Sequence, residues 1–138
     1  MKNSNLLSIF LFVFAYFLWA AVGCKVTFVP GKSQAQIDLL TKIQSDANTI
    51  FTNSDLSYAG NEPAIFNVNN EIDSLIVFDQ KRKKTVIVNQ DLAIQTIFNE
   101  DATEWQTKGN ISVNDANTYR SYFKSIVDPR LISEQSLK

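Results

Sequence analysis

The stretch Leu39-Leu40-Thr41-Lys42-Ile43-Gln44-Ser45-Asp46-Ala47-Asn48-Thr49-Ile50-Phe51 decides the fold class. Leu39, Leu40, Ile43, Ala47, Ile50 and Phe51 recur at three- and four-residue steps, and every position between them is polar. That spacing places the apolar side chains on one stripe of a helix and leaves the rest to water. Upstream, Ser33 with Gln36 three residues later forms a capping-box pattern, in which the serine hydroxyl accepts an orphan backbone N–H. Downstream, Asn53-Ser54-Asp55 ends the block, with Tyr58 and Gly60 beyond.

Outward from this block the same pattern recurs between interruptions. Apart from Gly23, the glycines are Gly31, Gly60 and Gly109, and the prolines are Pro30, Pro63 and Pro129. Their clustering near positions 30, 60, 109 and 129 divides the domain into three blocks that read as helical. The middle block, 62–108, carries Ile65, Val68, Ile72, Leu75 and Ile76, then a charged stretch, then Ile87, Ile94, Ile97, Phe98, Ala102 and Trp105. It opens with Pro63, tolerated where first-turn N–H groups have no partner. Its two stripes are in phase, so one helix of about 70 Å is compatible with the pattern. That is long for a bundle of this size, and β-branched Thr85-Val86-Ile87-Val88 suits a strand or a break, with Asn89 able to cap a new helix. One helix and two both remain open. The third block starts at Ser112 with Asp115, again a capping pattern, and runs through Ala116, Tyr119, Tyr122, Phe123, Ile126 and Val127. Asp128-Pro129 is expected to stop it and to cap a last short helix bearing Leu131, Ile132 and Leu137. The sequence therefore predicts an all-α fold: an antiparallel bundle of three to four helices over residues 33–138, large enough for one modest core.

Ahead of the domain, Leu6 to Val22 contains no charge and a single polar residue, Ser8; Lys2 precedes the run and Ala20, Ala21 and Gly23 close it. A basic start, an apolar middle and small residues at the end are the layout of a secretory signal. The run also reaches the lower limit of about 17 residues for a spanning helix, which makes an uncleaved inner-membrane anchor the rival reading. The expected organisation is a signal over 1–23, a tether over 24–32 and the helical domain over 33–138.

Removing residues 1–23 takes Lys2 from the 13 basic residues and leaves the 14 acidic ones, a net charge near −2. Such a balance gives no electrostatic ground for nucleic-acid binding, which depends on clustered cations to neutralise phosphates. The chain has no histidine and a single cysteine, Cys24. Nucleophile systems with a histidine base, zinc sites of His and Cys and intrachain disulfides are thereby excluded, and no cofactor is expected.

Ala21-Val22-Gly23-Cys24 at the end of the charge-free run resembles the lipobox of bacterial lipoproteins, in which signal peptidase II cuts before a cysteine whose thiol is diacylglycerylated. It departs from the commonest pattern at Ala21, where leucine is usual; looser boxes occur, notably in the Bacteroidota. The resemblance covers about the first 25 residues and none of the domain. It implies lipidation at Cys24. Two or three acyl chains give a stable anchor where one is marginal. Lys25 is not the enterobacterial Asp signal for inner-membrane retention, so the outer membrane is expected. No acidic residue lies between Lys25 and Ser33, which favours the periplasmic face. The tether, extended, reaches under about 30 Å and keeps the domain near the bilayer.

Three sets of residues are candidates for function. Lys81, Arg82, Lys83 and Lys84 read either as cations at a helix C-terminus, where the dipole favours them, or as a contact with an anionic surface such as lipid headgroups. Tyr119, Arg120 and Tyr122 combine residue types that anchor protein interfaces, although both tyrosines also fit the core period, as does Trp105. Asp73, Asp79, Glu100, Asp101 and Glu104 could supply the two carboxylates of a glycosidase, but nothing in their spacing selects a pair. Asn110-Ile111-Ser112 matches a glycosylation sequon without weight in a bacterial setting. The reading that results is a small, non-catalytic, lipid-anchored protein of the bacterial envelope that binds a protein partner as an accessory or structural subunit. Its rivals are the signal-anchored inner-membrane protein, an immunity or exclusion lipoprotein of a phage or mobile element, and a carboxylate-dependent envelope hydrolase.

Overall fold

A computed structural model of the protein describes residues 33–82 and 84–137. Four helices follow one another: α1 Gln34–Thr52, α2 Tyr58–Lys81, α3 Thr85–Lys108 and α4 Val113–Ser136. Each packs on its neighbours in the order α1–α2–α3–α4 and α4 closes back on α1, whereas diagonal pairs make no close backbone contact. This is an up-down-up-down bundle with short connections, the arrangement that lets four amphipathic stripes meet in one core. One end holds Ser33, the α2–α3 connection and the end of α4. The other holds the turns after α1 and α3.

The stripes of the sequence form that core. Leu40, Ile43, Ala47, Ile50 and Phe51 of α1 pack with Ile65, Val68, Ile72, Leu75 and Ile76 of α2, Ile94, Phe98 and Trp105 of α3, and Tyr119, Phe123 and Val127 of α4. Phe51 is the hub of an aromatic group, its ring centroid 6.3 Å from Phe98, 6.3 Å from Trp105, 6.1 Å from Tyr119 and 6.5 Å from Phe123. These separations lie in the range where tilted and offset ring pairs attract.

At the turn end the two connections are stitched together. Tyr58 N–H donates to Gly109 O at 2.7 Å, and Ile111 N–H donates to Leu56 O at 3.1 Å. Leu56 O also accepts from the Trp105 indole at 2.9 Å, so the largest buried side chain has its polar atom satisfied. Gly109 ends α3 at φ 71°, a conformation that favours glycine. Ser112 and Asp115 form the reciprocal capping box that the sequence predicts for α4.

Several boundaries fall elsewhere than expected. Of the two arrangements left open for residues 62–108 the structure has two helices, but α3 starts at Thr85 itself and not after a cap at Asn89, and Lys84 gives no side-chain cap. The modest propensity penalty of Thr85-Val86-Ile87-Val88 is outweighed by tertiary packing, in which Ile87 is buried. The helix α2 starts at Tyr58, five residues before Pro63, because Ser57 Oγ accepts the Gly60 N–H at 3.1 Å. Gly60 thus lies inside the first turn, where an added Cβ would collide with the Asp55 carboxylate. At α1, Ser33 is the N-cap residue but its side chain makes no cap bond, and Gln36 turns inward instead of completing a box. Pro129 does not stop α4, which continues to Ser136. An interior proline costs about 3 kcal/mol; the residues that follow it explain why the helix persists.

Candidate functional site

Beyond Pro129 the stripe of α4 continues, but with charge. Arg130 and Glu134 are buried, and so are Gln36 of α1, Asp79 of α2 and Asp91 of α3. Each helix therefore places at least one buried polar side chain toward the Ser33 end of the core. The Arg130 guanidinium occupies the middle. Its Nε donates to Asp91 Oδ1 at 2.9 Å, its Nη2 to Asp79 Oδ2 at 2.7 Å and its Nη1 to Glu134 Oε2 at 3.3 Å. A planar fork with donors on three edges suits this task in a way that lysine does not.

A second guanidinium closes the cluster toward solvent. Arg82 Nη1 donates to Glu134 Oε1 at 3.0 Å and approaches Asp79 Oδ1 at 3.4 Å. Glu134 Oε1 also accepts the Ser33 backbone N–H at 3.0 Å, and Gln36 Nε2 donates to Asp79. The start of the domain, the α2–α3 connection and the end of α4 thus converge on one carboxylate.

Three carboxylates face two guanidiniums, and one oxygen, Asp91 Oδ2, has no hydrogen-bond partner. Burial first, and the neighbouring Asp79 second, push the Asp91 carboxyl up to about 7 against the attraction of Arg130. A proton on Asp91 brings the cluster to formal neutrality. Arg130 itself is held above its usual value: burial opposes its charge, but Asp91 and Asp79 outweigh burial.

The sign of the resulting pH dependence follows. The folded-state value of about 7 lies above the ordinary carboxylate value, so the native state holds this proton more tightly than the unfolded chain. The associated stability is fully present below about pH 4 and is lost as pH rises through about 7. Asp101, pushed to about 6 mainly by burial, acts in the same direction. The lowered carboxyls of Asp55, Glu104, Asp115 and Asp128 lose their contribution only on acidification below the ordinary range. The melting temperature is therefore expected to fall between pH 5 and pH 8, and Asp91→Asn should remove much of that fall. An unchanged slope in Asp91→Asn contradicts the assignment.

The residues singled out in the sequence are distributed as follows. Cys24 and Lys83 lie outside the described residues. Lys81 is exposed, Lys84 is half-buried and Arg82 belongs to the ion cluster, so the basic run divides between structure and surface. Tyr119 is a core residue whose phenol burial pushes up to about 12; Tyr122 is exposed. Arg120 lines a groove of about 570 Å³ between α1 and α4, walled by Thr41, Gln44, Asn48 and Lys124 and floored by Phe51 and Phe123. Trp105 is core. Of the five acids considered for catalysis, Asp79 is in the ion cluster, Asp73 accepts from Gln95, and Glu104 pairs with Lys108 at 2.7 Å toward the other end. Asp91 and Glu134 were not among them, and the Asp79–Asp91 pair is spanned by Arg130 instead of flanking a cleft.

Among the described residues no group of His, Cys, Asp and Glu has the arrangement of a metal site, and no helix is long and apolar enough to cross a membrane. Fold and site together define a four-helix bundle with a buried ionic layer at the end where its chain enters and leaves. Compared with family models, curated proteins and solved structures, the chain matches none.

Proposed function

We propose that the protein is a small lipid-anchored component of the bacterial envelope that acts by binding, as an accessory or structural subunit, and not by catalysis. The observation that carries this reading is Ala21-Val22-Gly23-Cys24 directly after a charge-free run, with no other cysteine in the chain. The bundle is consistent with the role: its buried carboxylates are engaged by Arg130 and Arg82 instead of facing a cleft. Cys24→Ser should leave the protein with an uncut N-terminal segment or release it from the lipoprotein fraction. If Cys24→Ser fractionates with membranes as before and the native chain also retains residues 1–23, the signal-anchored alternative holds instead. Co-purification of the membrane-bound protein with a stoichiometric partner supports the subunit role.

A further inference from the structure

We infer that the Ser33 end of the bundle is a membrane-facing surface, whose cations and exposed apolar side chains lie against an anionic phospholipid bilayer. This deepens the proposed anchorage, and rests on that reading for bringing the domain to the bilayer.

The face is defined by how charge is sorted. At this end Asp79, Asp91 and Glu134 are all buried, while Lys81, at the end of α2, is exposed and Lys84, just before α3, is half-buried. The exposed carboxylate in the adjoining turn of α1, Asp38, accepts from Gln34 at 2.8 Å. At the opposite end the sorting is reversed, with Asp55, Glu62 and Glu104 exposed. The ionic layer thus withdraws three carboxylates from the surface of this end, where Lys81 and part of Lys84 are left outside with Asp38.

Apolar side chains accompany these cations. Val86, in the first turn of α3, is 73% exposed and Ile132, near the end of α4, is 63% exposed. Phe78 and Val77 are exposed in the last turns of α2, beside Lys81. Cations at headgroup depth with apolar side chains reaching the acyl boundary are the combination that binds anionic interfaces. Chain direction agrees. Ser33, where the nine-residue segment from Cys24 enters the domain, is bonded to the same Glu134 oxygen as Arg82. A short tether to the bilayer therefore delivers this end and not the other.

Hydrogen exchange on the full chain, reconstituted into phosphatidylethanolamine vesicles with or without phosphatidylglycerol, tests the orientation. First-turn amides of α3 lack intrahelical partners and exchange readily, so they report on cover. Phosphatidylglycerol is expected to slow exchange several-fold in peptides spanning 82–88 and 131–137, and to leave 53–57 and 109–112 unchanged. The double variant Lys81→Gln/Lys84→Gln, which spares Arg82 and hence the ion cluster, should abolish the slowing. Protection at the opposite end, equal protection at both, or none at either overturns the inference. Intact mass on the same sample reports acylation of Cys24 separately: an unmodified Cys24 defeats the anchor reading, whatever the exchange pattern shows.

Discussion

Arg130→Met is expected to lower the unfolding free energy by about 3–5 kcal/mol, the cost of leaving buried charges without their partner. The variant keeps side-chain volume near that of arginine, so the loss measures charge pairing more than packing. Asp79, Asp91 and Glu134 would each lose a guanidinium donor at once. Part of the loss should be recovered at low pH, where protonation relieves the unpaired carboxylates. Replacing the whole buried set by well-packed apolar residues is a different experiment, and is expected to be neutral or stabilising. Urea denaturation followed by far-ultraviolet circular dichroism measures both. If Arg130→Met costs less than about 1 kcal/mol, the cluster does not hold this end of the bundle, and the persistence of α4 through Pro129 needs another cause.

The second large effect is expected at the opposite half of the core. Phe51→Ala should cost about 3–5 kcal/mol through lost burial and the cavity it leaves. The ring contacts Phe98, Trp105, Tyr119 and Phe123, so the void would be bounded by two other helices, α3 and α4, that are themselves fixed at their turns. Phe51→Leu should retain much of that stability because volume and hydrophobicity are partly preserved. Since Phe51 and Arg130 share no partner, their effects should add within about 0.5 kcal/mol. Single domains of this kind have about 5–15 kcal/mol in all, and the double variant should therefore be close to unfolded under native conditions.

These two sites also mark what was legible in the sequence. The apolar stripes of the first block, of Ile65 to Ile76 and, apart from exposed Tyr122, of Ala116 to Val127 form or pack against the core because their three- and four-residue spacing carries directly into helix packing. The Ser112–Asp115 cap could be read for the same local reason. The ionic layer was not read because each of its members breaks a stripe when the helices are taken singly. Asp91 fills the gap between Ile87 and Ile94, Asp79 follows Leu75 and Ile76, and Arg130 and Glu134 continue the series Ala116, Tyr119, Phe123, Val127 across a proline. Only the antiparallel packing shows that the four interruptions fall at one level and neutralise one another. A sequence signal did exist: Asp79, Arg130 and Glu134 sit at the ends of their stripes that an up-down topology brings together, and Asp91 lies one turn in from the start of its own. Pro129 misled for the converse reason, because a local rule about helix stops was outweighed by two charged residues whose partners are on other helices.

Arrangement and anchorage now connect. The buried acids withdraw three carboxylates from the surface of the end that holds Ser33, so under the proposed anchorage the ionic layer, costly as a source of stability, would shape the face turned to a membrane. Whether the chain is attached there by a lipid is the claim on which the rest depends. Intact-mass spectrometry of the protein extracted from membranes tests it directly. The expected species begins at Cys24, lacks residues 1–23 and carries the added mass of two or three acyl chains; a species with all 138 residues and an unmodified cysteine would contradict the account.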